Sequence, residues 1–143
     1  MFSNLTAFVL CILVIIGGLV NPSAGAPHLV TRDTGCQGVD VLYPSASTVV
    51  HRSEEQTIYL ILGSRIENAS LSEVSIVRKE DEKTLSMVVW TSDEKDQMSK
   101  ITAIQQDLNR LNTTLPNHFW FRANVDQGDQ SCQYESEIFE ITE

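Results

Sequence analysis

From residue 39 onward the chain breaks into short apolar runs separated by turn residues, and no other feature restricts its fold so strongly. Val39-Asp-Val-Leu-Tyr43 alternates and ends at Pro44, as strands at a sheet edge do. Thr57-Ile-Tyr-Leu-Ile-Leu62 is dense in β-branched and aromatic residues and stops at Gly63-Ser64. It reads as a buried central strand. Val74-Ser-Ile-Val77 and Leu85-Ser-Met-Val-Val-Trp90 follow, on either side of the charged run 78–83, which reads as a solvated hairpin loop. Residues 91–96 read as a second charged turn. His118-Phe-Trp-Phe-Arg-Ala-Asn-Val125 is an aromatic strand, 127–130 a turn, and 135–142 the last strand. The sum predicts an all-β, antiparallel sandwich of immunoglobulin or fibronectin-III-like type with six to seven strands. Residues 99–111 stay open between two readings. Ile101, Ile104, Leu108 and Leu111 make a helical stripe that Ser92 or Asp93 can cap, yet Ile101-Thr-Ala-Ile104 is equally a strand.

The other end of the chain concerns export. Phe8 to Ile16 is a charge-free apolar run, followed by Asn21-Pro22 and the small residues Ser23-Ala-Gly-Ala26. That order is a secretory signal peptide over 1–26, although its first residues carry no Lys or Arg. An uncleaved amino-terminal anchor is the alternative. Cleavage near Gly25 or Ala26 leaves about 117 residues. They divide into a flexible leader, 27–38, and a single domain, 39–143. No later stretch is apolar enough to span a membrane, so the mature chain is expected to be extracellular. Cys11 leaves with the signal. Cys36 and Cys132 remain and are expected to form a disulfide, as an even pair does in an oxidising compartment. A free thiol or a metal ligand is the alternative.

Ten Lys and Arg stand against nineteen Asp and Glu, a net charge of −9 carried wholly from Arg32 onward. An acidic surface repels phosphate backbones, so nucleic-acid binding is not expected. Catalytic groups are few. A general base wants an orienting carboxylate and a nucleophile beside it. His28 lies in the leader, His51 beside Arg52 in a loop and His118 at the start of the aromatic strand, and neither Gly-x-Ser-x-Gly nor His-Glu-x-x-His occurs. The carboxylates permit a glycosidase pair in principle, but they fall mainly in turns, where little shifts their acidity. No catalytic, cofactor-binding or metal residues are assigned, and the chain is expected to bind rather than to catalyse.

Two features point to recognition instead. In an alternating strand Phe119 and Phe121 share one face, and His118, Trp120 and Arg122 share the other. If the phenylalanines are inside, Trp120 and Arg122 form an outward surface suited to a sugar ring or a partner. If Trp120 is inside, the phenylalanines are exposed. The third arrangement has every ring in core or sheet packing. Asn68-Ala-Ser70 and Asn112-Thr-Thr114 are acceptor sequences for N-glycosylation, both in predicted loops.

Val39-Asp-Val-Leu-Tyr-Pro44, Val49-Val50, Thr57-Ile-Tyr-Leu60, Leu115-Pro-Asn-His-Phe-Trp-Phe-Arg122 and Tyr134-Glu-Ser-Glu-Ile-Phe-Glu-Ile141 together resemble the extracellular domain of the fungal Ser-Thr-rich glycosylphosphatidylinositol-anchored membrane family, related to yeast β-1,6-glucan-assembly proteins. The resemblance implies a β domain at the fungal cell surface or wall and a glucan or wall protein as ligand. It brings no catalytic residues. The sequence departs from the pattern at Glu54-Glu55, where the family tends to have Gly, and at Leu60-Ile-Leu62, where it usually has Trp. Glu143 directly follows the last strand, so no carboxyl-terminal lipid anchor is expected. The expected function is therefore binding of cell-wall polysaccharide, with an extracellular protein partner as the rival and a small hydrolase as the third reading.

Overall fold

A computed structural model describes residues 36–143, without the side chains of 93–95. The expected signal peptide and most of the expected leader lie outside the described residues. Nine strands are described: β1 Val39–Tyr43, β2 Val49–His51, β3 Thr57–Ser64, β4 Ala69–Glu80, β5 Lys83–Gln97, β6 Ile101–Asp107, β7 Asn117–Gln127, β8 Gln130–Glu135 and β9 Phe139–Thr142. They form a β-sandwich. A small sheet has the order β1-β3-β6, and a large one has β2-β9-β7-β4-β5 with β8 also on β7. All pairings are antiparallel except β2 with β9, which is parallel. The strand count exceeds the expectation because two strands carry little apolar signal. β2 is three residues long. β8 is polar apart from Cys132 and Tyr134, which point inward.

The ambiguity over 99–111 resolves as strand β6 followed by one 3-10 turn, Leu108–Arg110. β6 pairs with β3 from Ile101 opposite Gly63 to Asp107 opposite Thr57. A sheet face selects every second residue, so Ile104 and Gln106 go in while Ile101 goes out. The stripe that mimics a helix survives only in Ile104, Leu108 and Leu111, which are buried. The cap comes from Asp107, whose Oδ1 accepts from the Asn109 N–H at 2.9 Å. The two predicted charged loops also change. β4 runs on to Glu80 and β5 starts at Lys83, so the turn is only Asp81-Glu82, with Asp81 at φ 54°. β5 continues through 91–96 because β4 pairs with it at Thr91 and again at Asp96, past irregularities at Val89 and at 92–95.

Between the sheets lie Ile58, Leu60 and Leu62 of β3, Val74 and Ile76 of β4, and Phe119, Phe121 and Val125 of β7. Phe139 of β9 stacks on Phe121 at 5.5 Å between ring centroids. β3 is central, as its composition predicts, but only one of its faces is covered: Tyr59 is exposed. β8 and β9 lie along the same edge of β7, and Ser136 closes the gap between them. Its N–H donates to the Phe121 carbonyl at 2.9 Å, and its Oγ accepts from the Phe121 N–H at 2.8 Å. Those bonds satisfy a buried stretch of β7 that would otherwise lose its ladder.

The Cys36–Cys132 disulfide forms, with Cα atoms 5.6 Å apart and a sequence separation of 96. It joins the chain entering β1 of the small sheet to β8 of the large one. A closed loop of that length contributes about 4–5 kcal/mol in the chain-entropy view. Beside it the buried Tyr134 hydroxyl accepts from Gln127 Nε2 at 2.6 Å and donates to the Gln37 carbonyl at 3.4 Å. Burial pushes the pKa of this phenol above its ordinary value, against the pull of the Gln127 bond and with a smaller contribution from Asp40. Gly38 completes this corner at φ +83°, where a Cβ would lie 2.5 Å from Ile66 Cγ1.

Candidate functional site

The alternation of β7 decides which aromatic rings reach the surface. Phe119, Phe121, Ala123 and Val125 are buried against the small sheet, so His118, Trp120, Arg122 and Asn124 point outward. Of the arrangements open from sequence, this one places Trp120 and Arg122 on the outer face. Trp90 packs against the core, partly buried.

Trp120 does not stand free on that face. It is opposite Val77 of β4, which faces outward yet has no exposed surface. An outward valine with none must be covered by its cross-strand neighbours, and Trp120 is the largest of them. The indole N–H is itself buried and meets no acceptor among the described residues. Leaving such a donor unmatched costs about 1–3 kcal/mol. What Trp120 offers to solvent is therefore ring surface rather than its polar edge.

Arg122 is one member of a polar array that spans three strands. Its Nε and Nη2 both donate to Glu135 Oε1 of β8, at 2.9 and 2.8 Å. One row further along, Gln133 Nε2 donates to Asn124 Oδ1 at 3.2 Å, and Asn124 Nδ2 donates to Glu73 Oε1 at 3.4 Å. Ser75 Oγ reaches the same Glu73 oxygen at 3.3 Å. Register explains the array: Ser75, Arg122 and Glu135 lie in one cross-strand row, and Glu73, Asn124 and Gln133 in the next. Planar amide, carboxylate and guanidinium groups are thus held side by side next to an indole. Such groups match adjacent hydroxyls on a sugar ring, whose C–H face suits an aromatic surface.

Sequence reading names Trp120 and Arg122 but misses Glu73, Ser75, Asn124, Gln133 and Glu135. The available signal is a period-two polar pattern repeated in three strands: Glu73-x-Ser75, Arg122-x-Asn124 and Gln133-x-Glu135. It has no meaning until the register is known.

The remaining candidates are scattered. His28 lies outside the described residues. His51 shares a 2.7 Å hydrogen bond with Thr142 Oγ1 near the carboxyl end. His118 is exposed on the Trp120 face, opposite Glu140. Asn68 and Asn112 are both exposed. Among the described residues no group of three or more His, Cys, Asp or Glu side chains is placed to hold a metal ion. No helix among them is long and apolar enough to cross a membrane.

No protein-family model matches the sequence, and no curated protein matches it. One solved structure is similar in shape, an AA10 lytic polysaccharide monooxygenase from Streptomyces lividans. The identity is 10% and the TM-score 0.45, over 71% of this chain and 60% of that one. The expectation that this chain is not an enzyme is corrected by that finding. It rested on the lack of a catalytic motif and on carboxylates that fall mainly in turns, whereas the similar structure is that of an enzyme. The likeness transfers no residue, substrate or activity to this chain.

Proposed function

We infer that this chain is an exported, cell-surface protein that binds polysaccharide on the outer face of its large sheet. The observation that carries the reading is the hydrogen-bonded array of Glu73, Ser75, Arg122, Asn124, Gln133 and Glu135 beside the outward ring of Trp120. Side chains that hold one another need little further ordering when a ligand arrives, which favours binding. The amino-terminal signal pattern and the disulfide support export. The resemblance to the fungal wall family adds a setting, the fungal wall with glucan as ligand.

Retention on insoluble wall polysaccharides tests this. The expected result is retention of the intact protein and at least a tenfold loss in Trp120→Ala and Arg122→Ala, each shown to be folded by circular dichroism. Equal retention of the variants, or none by the parent, sinks the reading.

A protein partner is the second reading, favoured by the outer face of the small sheet. There Tyr59 and Ile101 are exposed, and Leu42, also exposed, lies over Gly63. Specific capture of an extracellular protein, abolished by Ile101→Lys and indifferent to Trp120→Ala, is the result that selects it.

A further inference from the structure

An apolar crevice of about 180 Å³ opens at one end of the sandwich, where Ile76, Leu85, Met87, Leu111 and Phe119 meet the polar wall of Arg78. Asn112 and Thr113 form its lip. Leu85 is 39% exposed there, although most large apolar residues of this sheet are buried. On its other side the same lip borders a polar depression lined by Glu80, Thr114 and Asn117. Arg78 braces the lip, donating to Thr113 Oγ1 and to Glu80 Oε2, the latter at 3.0 Å. A site with one apolar wall and one polar wall suits an amphipathic ring. Cavities near this size hold one six-membered ring.

Asn112 is the acceptor of Asn112-Thr-Thr114, and it is exposed. We propose that an N-linked glycan on Asn112 folds back and fills this crevice, its first sugar laid on Leu85 and Met87 with its hydroxyls toward Arg78 and Thr113. In the transfer, Asn112 Nδ2 bonds to the anomeric carbon of a lipid-linked oligosaccharide donor. The sugar–phosphate bond breaks, the lipid diphosphate leaves, and one amide proton goes to solvent. The attached sugar is tethered at the mouth, so its effective concentration is high and even a shallow site is occupied. Asn68 provides the contrast. It sits in a tight turn at φ 67°, and its Oδ1 already accepts from Gln97 Nε2 at 3.2 Å.

The inference rests on the export proposed above and is independent of the Trp120 face. The full chain is produced through the secretory pathway of a yeast and its intact mass measured. Release of the Asn112 glycan by peptide N-glycosidase is then timed on native and denatured protein. The expected results are a glycan on Asn112, native release at least tenfold slower than in Leu85→Ser, and no difference between the two once both are denatured. Should Leu85→Ser fail to fold, a fall of a few degrees in the unfolding midpoint after deglycosylation of the parent decides. A secreted chain bare at Asn112 overturns the inference and leaves export standing. So does a glycan released as fast from the parent as from Leu85→Ser, or an unchanged midpoint in the fallback. A chain that keeps Met1 and carries no sugar overturns export, and this inference with it.

Discussion

The two outer faces of this sandwich are built by the same alternation and end up unlike. On the large sheet Glu73 and Ser75 of β4, Arg122 and Asn124 of β7, and Gln133 and Glu135 of β8 face outward and bond to one another along two cross-strand rows beside Trp120 and Val77. On the small sheet the outward residues are mainly apolar, Tyr59, Ile61, Ala103 and Ile101 with Leu42 over Gly63, while Asp40, Gln105 and Asp107 add polar groups, Asp40 paired with Arg65. The first face is organised before any ligand arrives. The second offers chiefly apolar area, without such cross-strand rows of bonded side chains among its described outward residues. Polar and apolar surfaces therefore differ here in preparation as well as in chemistry, and only the first has the direction that recognition of hydroxyl groups needs.

The comparison holds only while both sheets keep their places. Replacing Cys36 and Cys132 together by Ser should cost about 4 kcal/mol, measured as a lower urea midpoint. A loss under about 1 kcal/mol would mean that the core alone fixes the sheets. Within β7 the two sides of one strand should separate cleanly. Phe121→Ala should cost about 3–5 kcal/mol by leaving a cavity against Phe139. Arg122→Ala should cost under about 1 kcal/mol, because its pair with Glu135 is partly exposed, while polysaccharide retention falls. A large stability loss in Arg122→Ala would turn the array into scaffold. On the small sheet, Tyr59→Lys or Ile101→Lys should shift stability by no more than about 0.5 kcal/mol and leave polysaccharide retention unchanged. A loss of retention there would reverse the assignment of the faces.

The smallest effect concerns the corner at Tyr134. Burial raises the folded-state pKa of this phenol above its unfolded value. Between those two values the folded chain keeps a proton that the unfolded chain has lost, so stability falls as pH rises. The contribution is complete below pH about 10 and fades above it. Chemical denaturation at pH 9 and 11 should show that decline, and Tyr134→Phe should flatten it.

Much of the scaffold is legible in the order of residues. Val39 to Tyr43, Thr57 to Leu62, the strand around Trp120 and the cysteine pair all follow from alternation, β-branched content and an even thiol count. The misses have specific reasons. β8 is invisible because a strand with only Cys132 and Tyr134 facing in lacks an apolar pattern. Residues 101–107 imitate a helix because Leu108 and Leu111, which belong to a 3-10 turn and the chain after it, extend the stripe by chance. The Arg78 to Lys83 run is read as a loop because charge suggests solvent, yet an edge hairpin carries charge on exposed strands just as well.

The sequence by itself determined that this chain builds strands, that Phe119 and Phe121 oppose Trp120 and Arg122, and that two cysteines are available to be joined. These are local facts, fixed by tetrahedral carbon and a two-residue repeat. Tertiary structure alone decided which side of β7 is buried and which partners Arg122 and Asn124 meet, because register sets those choices between strands distant in sequence. It also decided that Asn112 stands at the lip of a crevice. Ile76, Leu85 and Leu111 come from three separate elements, and nothing in their order along the chain announces that they meet.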